Sequence, residues 1–350
     1  MATTEAVSND IVDRTRRIEF LEAVRGIAAT LVVLQHLLAD EFPAYQRWTY
    51  HHLDLGRVGV VAFFLVSGYV IPLSLSGQTL RTFATRRFFR LYPSYWVALA
   101  LYLALHFDEI VRQVGTPGLV LNVLMVHGMV GIVSALPPAW TLSIELIFYL
   151  QSAAAKAVRR LDISAYLGLA WLALYLLLCL VEWKTSRAMP TTLPALLFTA
   201  GVGHALWLRD RSGSRAWLPL LLAGVVLVPA GAVLGADPDG QWPPFTYSVS
   251  FLAGIALFVG CRALRRHEFG RPLLFAGAIS YAVYLFHPIV IDILHRRSGL
   301  PDGPVFVIVN LLVIPLVGWL VHRLLERPSI ETGRRWTRRW VPSASAGSTT

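Results

Sequence analysis

LEAVRGIAATLVVLQHLL, residues 21–38, decides the fold class. It is apolar enough and nearly long enough to cross hydrocarbon as one helix, which takes about 20 residues at 1.5 Å each. Yet it carries Glu22, Arg25 and His36. A charged side chain at the bilayer centre costs roughly 2.5–3.5 kcal/mol on insertion scales, so such groups face a polar interior and mark function. The rest of the chain repeats the apolar theme. It is 55% hydrophobic and 15% charged over 350 residues, against about 25% charged in a soluble domain. The apolar residues fall in runs of membrane length, which predicts an all-α polytopic membrane helix bundle. The net charge of +10 is spread between these runs rather than gathered on one soluble face, so a nucleic-acid partner is not expected. Residues 1–13 are polar and lack the basic-then-apolar order of a signal peptide.

Apolar runs lie near 18–39, 57–76, 91–107, 118–134, 139–157, 163–182, 192–208, 217–235, 246–262, 272–292 and 304–324. The run at 118–134 is short and interrupted by Asn122, His127 and glycine. If it crossed, Lys156, Arg159 and Arg160 would fall outside and the later loops would alternate wrongly. Without it, ten transmembrane helices remain and both termini are cytoplasmic. The clusters Arg81–Arg90, Lys156–Arg160, Arg209–Arg215, Arg262–Arg271 and Arg323–Arg339 then all lie inside. The segment near 118–134 is therefore expected to be re-entrant or interfacial, buried in protein or lining a cavity. The expected organisation is a cytoplasmic N-terminal segment (1–17), a membrane-embedded domain (18–327) and a basic, Ser-rich, disordered cytoplasmic tail (328–350) near anionic lipid.

Within the ten-span arrangement several polar groups align in depth. Arg25 and His36 are eleven residues apart on the first helix, ~16 Å. Glu145 lies two turns below the start of AWTLSIELIFYL, and His287 lies near the outer end of ISYAVYLFHPIV. His36, Glu145 and His287 are thus expected at similar depth on three helices. Each has a plainer reading: a histidine bonded to a backbone carbonyl, or an Arg25 satisfied by Glu22 at i and i+3. RTFATRRFFRLYP, residues 81–93, reads either as a topology determinant at lipid phosphate or as a phosphate clamp of guanidinium forks. Ser67-Gly68 in FFLVSGYVIPLSL reads first as a point of close helix packing. The histidines are dispersed, and Cys179 and Cys261 sit alone in apolar runs, so no metal site is expected.

Taken in order, these stretches resemble the acyltransferase-3 family of integral-membrane O-acyltransferases. The resemblance rests on Arg25 and His36 in the first span, FFLVSGY, Arg87 and Arg90 before Pro93, WTLSIE with Trp140 and Glu145, ISYAVYLFH, and the terminal Glu326-Arg327-Pro328. Departures are Glu22 where Asp is commoner, Thr141 in place of Ser, and Phe286 where Trp is frequent. The resemblance implies a bacterial inner-membrane enzyme with no bound cofactor. It implies acyl-CoA (acetyl-CoA by family default) as co-substrate and a carbohydrate or glycosylated hydroxyl as acceptor. Arg86, Arg87 and Arg90 would take the coenzyme's phosphates, and Arg25 would line the path inward or hold a phosphate or thioester oxygen. His36 would be the general base, oriented by Glu145 as in a hydrolase triad. An acyl-His intermediate is the alternative route. Trp140, Tyr281, His287 and Ser67 would line the acceptor or oxyanion pocket. The rival class is a transporter or flippase of a glycan or lipid-linked sugar, which often shows duplicated halves; none is visible in this sequence.

Overall fold

A computed structural model describes residues 2–235 and 243–340, with side chains from residue 19 onward. Among the described residues there are helices and no strands. In chain order they are α1 (Ala2–Glu41), α2 (Pro43–His51), α3 (Leu55–Ser76), α4 (Leu80–Val123), α5 (Ala139–Ala157), α6 (Ile163–Thr185), α7 (Thr192–Ser212), α8 (Trp217–Leu234), α9 (Pro244–Ala263), α10 (Arg271–Arg297), α11 (Pro304–Val321) and α12 (Arg327–Arg338). A 3₁₀ turn (His127–Val130) precedes α5, and a π-helical turn (His322–Glu326) joins α11 to α12.

Eight of these helices are long and apolar enough to cross a bilayer. Ten spans require α5 and α7 as well. Both are long enough, and both are polar for a structural reason. In α7 every residue from Pro194 to Trp207 is buried, so protein rather than lipid surrounds it and apolarity is not demanded of it. In α5 the polar groups turn inward, as described below.

Glycines set how closely the central helices approach. A Cβ on Gly26 would stand 2.8 Å from the Leu273 carbonyl oxygen of α10 and 2.9 Å from the Gly277 nitrogen. A Cβ on Gly277 would strike the backbone of Glu22 in α1. The same relation joins Gly68 of α3 to Ala200 of α7, and Gly203 of α7 to Leu65 of α3. Backbones in contact gain dispersion attraction that bulky residues would forbid, the main source of helix association where lipid removes the hydrophobic drive. The packing role expected of Ser67-Gly68 belongs to Gly68.

The run at 118–134 folds back beside α4. Helix α4 bends at His106 (φ −134°, ψ 24°) and again at Gly115 (φ 66°), a backbone value that glycine adopts without strain. The chain then returns alongside its own helix. Tyr95 OH donates to the Asn122 carbonyl at 2.5 Å, Trp96 Nε1 to Val123 at 3.0 Å and Tyr92 OH to Leu124 at 3.0 Å. Eleven residues from His106 back to Tyr95 make this re-entry ~16 Å deep. The buried Asn122 side chain ties the returning loop: its amide donates to the Gly118 and Val133 carbonyls, and its oxygen accepts from Ala135 N. Of these, the Val133 carbonyl and Ala135 N lie in the loop outside any helix, where backbone groups need side-chain partners. As a result α5 begins at Ala139 already inside the bundle. It ends where Lys156 Nζ donates to the carbonyls of Leu75 and Gln78 in the α3–α4 turn. We call this end, which carries Arg81–Arg90, the basic end.

The tail expected to be disordered from residue 328 is instead helical through Arg338; residues 341–350 lie outside the described residues. Ile330, Gly333 and Thr337 recur at helical spacing on one face, and Gly333 and Thr337 are buried. Ser329 Oγ donates to the Phe89 carbonyl at 2.5 Å, Arg86 Nε donates to Thr337 Oγ1 at 2.9 Å, and Arg81 lies 4.0 Å from the Trp340 ring.

Gly277→Ala should lower the unfolding temperature of detergent-purified protein by several degrees, because overpacking a tight site costs about 1–3 kcal/mol. Gly260→Ala, in α9 with nothing within 4 Å of its Cβ position, should leave it level or raise it slightly through helix propensity. Equal melting behaviour of the two variants would contradict the α1–α10 contact.

Candidate active site

A cavity of about 360 Å³ opens among α1, α3, α4, α5, α10 and α12. Five arginines line it: Arg25, Arg86, Arg87, Arg90 and Arg334. Two carboxylates, Glu22 and Glu145, line it as well. Three helices supply the guanidinium groups because α4 presents Arg86, Arg87 and Arg90 in its first turns, α1 passes beside it, and α12 lies across α4. Arg25 Nη1 donates to both oxygens of Glu22, at 3.0 and 3.2 Å, so the plain i,i+3 reading of this pair holds while both groups still face the cavity. Arg87 lies 5.5 Å from the ring centres of Phe83 and Tyr149, and Arg25, Arg90 and Glu145 are its charged neighbours. Among the described residues, no carboxylate comes within ion-pair distance of Arg86, Arg87, Arg90 or Arg334. An enclosure with an excess of three positive charges attracts anions.

Glu145 is half-buried and well satisfied. Its Oε1 accepts from Ser67 Oγ at 2.5 Å and from Tyr149 OH at 2.7 Å. One turn further from the basic end, Thr141 Oγ1 and Tyr284 OH share a hydrogen bond of 2.8 Å, and both hydroxyls reach the Pro138 carbonyl. Thr141 and Tyr284 line the cavity, whereas His287 and His36 do not. The hydroxyl pair thus belongs to the cavity wall and the histidines do not.

Beyond it lie the two histidines. The rings of His36 and His287 are 5.0 Å apart, and that of Tyr284 is 6.2 Å from His287. His36 Nδ1 is 2.8 Å from the Val32 carbonyl, and His287 Nδ1 is 2.8 Å from the Tyr284 carbonyl. A carbonyl only accepts, so each Nδ1 carries a hydrogen, and in the neutral ring each Nε2 keeps its lone pair. His287 is buried and its Nε2 has no partner among the described residues. His36 is exposed and lies near Asp40, whose other charged neighbours are Glu41 and His295.

The expected hydrogen-bonded pair of His36 and Glu145 is not formed. The reason is depth. Because the chain re-enters before α5, Thr141 rather than Glu145 stands level with Tyr284, and Glu145 lies one turn nearer the basic end. Seven residues of helical rise in all, ~10 Å, separate Glu145 from the level of His287. Of the other expected residues, Arg25, Arg86, Arg87, Arg90, Ser67 and Tyr281 do line the cavity. Tyr281 does so with its hydroxyl committed to the Leu91 carbonyl at 2.9 Å, which ties α10 to α4 and leaves no donor for an oxyanion. Trp140 is exposed and outside the cavity. Sequence reasoning missed Arg334, Thr141, Tyr149 and Tyr284. The spacing of Glu145 and Tyr149 at i and i+4 was a readable signal for one of them.

A family model described as an acyltransferase domain, that of the acyltransferase-3 family, matches residues 18–323. The chain belongs to the acyltransferase-3 family. Among curated members similar to this acyltransferase-3 chain is the exopolysaccharide production protein ExoZ of Rhizobium meliloti (strain 1021), 27% identical over 82% of this chain and 93% of that protein. Another is the acyltransferase MdmB of Streptomyces mycarofaciens, 26% identical over 92% of this chain and 94% of that protein. No solved structure matches this acyltransferase-3 chain.

Glu145→Gln removes one of the two charges that offset the cavity arginines. Pyrophosphate should then bind roughly three- to tenfold more tightly, the effect of a nearby unit charge at an effective dielectric of about 20. Calorimetric titration of the purified variant checks this, and unchanged or weaker binding would place the anion away from Glu145.

Proposed function

We propose that this protein is a bacterial inner-membrane O-acyltransferase moving a short acyl group, acetyl in the simplest case, from a coenzyme A thioester to a hydroxyl of a carbohydrate or glycosylated acceptor. The observation that carries the reading is the cavity: five arginines at one end, Glu145 and the Thr141–Tyr284 pair at the other, and two free imidazole nitrogens just beyond. ExoZ's name ties a similar chain to an exopolysaccharide, which supports a sugar acceptor. We read α5 and α7 as crossing the membrane too, giving ten spans with the basic end and both termini in the cytoplasm and lipids around the bundle.

In this reading the coenzyme's phosphates lie on Arg86, Arg87 and Arg90, with Arg25 further in. The pantetheine arm extends past Glu145 and brings the thioester carbonyl to Tyr284. The acceptor approaches from the opposite face, where His36 is open. Its hydroxyl oxygen attacks the thioester carbon while its proton passes to His36 Nε2. The Val32 carbonyl on Nδ1 holds that tautomer, the orienting task first expected of Glu145. The tetrahedral intermediate collapses, the C–S bond breaks, and the thiolate leaves with the proton that His36 returns. A bound ester and free coenzyme A are the products. His287, buried against His36, keeps the second ring in register. Glu145 serves the donor side: it offsets arginine charge and, through Ser67 and Tyr149, fixes the wall along which the arm runs.

His36→Ala should insert and fold normally yet lose acyl transfer by about 10²- to 10⁴-fold, the usual worth of a positioned general base. Mass spectrometry of surface glycans and glycosylated metabolites from cells carrying either form reads this out, and undiminished acylation by the variant removes His36 from the chemistry. Arg87→Ala combined with Arg90→Ala should weaken acetyl-CoA binding at least tenfold in purified protein. Unaltered affinity would return that cluster to a purely topological role.

A further inference from the structure

Arg334 is the cavity arginine that the donor reading leaves unassigned. It sits on α12, is exposed, and reaches the cavity together with Ile330 of the same helix. Its place is fixed by the seat of α12 on α4, not by a partner for its own side chain. Ser329 bonds the Phe89 carbonyl, Thr337 receives Arg86 Nε, and Gly333 lies against the Phe89 ring where any Cβ would be crowded at 2.8 Å. Residues on both sides of Arg334 are therefore pinned, so the guanidinium is held at the rim with its fork unused by any carboxylate among the described residues. Four neighbours do have assignments. Arg25 is deepest and already paired with Glu22, Arg87 and Arg90 are in the middle, and Arg86 has its Nε committed to Thr337.

Charge balance says what Arg334 is for. Five arginines against two glutamates leave three positive charges in the cavity. A diphosphate diester carries about two negative charges, and a phosphate monoester carries about 1.5 to 2 more near neutral pH. A donor with a diphosphate alone would leave the enclosure cationic; one with an additional monoester brings about 3.5 to 4 negative charges, enough to offset all of it. In coenzyme A that additional group is the 3′-phosphate of the ribose, at the nucleotide end and far from the thioester. With the arm extended toward Tyr284, the nucleotide end lies at the rim.

We propose that Arg334, presented by α12, binds the 3′-phosphate of the coenzyme and makes the site discriminate coenzyme A from its 3′-dephospho form. This inference rests on the donor reading above. Helix α12 thereby becomes part of the binding site, although its sequence looks like a basic tail. A planar guanidinium suits a terminal phosphate because it offers two parallel donors.

The test uses the full-length purified protein and two probes, coenzyme A and 3′-dephospho-coenzyme A, with affinities measured by titration calorimetry. Wild type should bind coenzyme A about tenfold more tightly than the dephospho form, the size of one charge-assisted contact. Arg334→Ala should bind both with the affinity wild type shows for the dephospho form. Arg335→Ala, which removes the same charge from the next position of α12 outside the cavity, should behave as wild type. The proposal is overturned if Arg334→Ala keeps the preference, if it weakens both probes equally, or if Arg335→Ala erases the preference as well. Wild type that binds neither probe would instead defeat the donor reading, and the assignment of Arg334 would fall with it.

Discussion

Backbone contact between α1 and α10 is the constraint on which the site depends. Gly26 and Gly277 let the two helices meet without intervening side chains, and the consequences run along both. On α1, Arg25 is the neighbour of Gly26, so it enters the cavity at a fixed height. Eleven residues on, His36 arrives beside His287. On α10, Tyr281 and Tyr284 face the cavity between them. A shift of the two helices by one residue would rotate each side chain by about 100° and separate the rings. The second close contact, α3 on α7 through Gly68 and Gly203, places Ser67 where Glu145 needs a donor.

The polar groups inside the bundle are affordable because most answer one another. Glu22 meets Arg25, and Glu145 meets two hydroxyls. Near the basic end Asp210 of α7 holds Arg262 of α9 through two hydrogen bonds, with Tyr69 OH on the same carboxylate at 3.1 Å. Tyr69 is the last residue of the FFLVSGY stretch, whose three polar or small positions thus do three separate jobs: a bond to Glu145, a helix contact and a carboxylate clasp. A bidentate Arg–carboxylate pair with a further donor compensates much of the desolvation that a lone charge would suffer. The guanidinium charge that no carboxylate offsets gathers in the arginine-lined cavity, while His127, His204 and His287 keep buried ring nitrogens without partners among the described residues.

Much of this was legible in the sequence. Apolar run lengths gave the helical class, the alternation of basic loops rejected 118–134 as a span, and the residue types in the first span and in RRFFRLYP named most of the cavity's charged lining. Three things were not legible. The depth of Glu145 depended on how far the chain re-enters after Gly115, a matter of backbone bends and of Asn122 acting as a tie, neither of which leaves a periodic trace. The order in α12 was hidden because a face built from Gly333 and Thr337 is scarcely apolar, and only the surface of α4 makes it a face at all. Trp140 followed motif position rather than geometry: beginning α5 with the chain already inside the bundle turns that ring outward.

The hydrogen bond between Thr141 and Tyr284, with the Pro138 carbonyl beneath both, also bears on the insulation of the membrane. A water-filled bore lined with arginine and histidine from face to face would conduct anions and dissipate the cell's ion gradients. Here the Thr141–Tyr284 pair and the Phe63 ring, 5.5 Å from that of Tyr284, flank the cavity on the side of the histidines. Neutral hydroxyls and an aromatic ring at that point oppose the passage of small anions along such a bore.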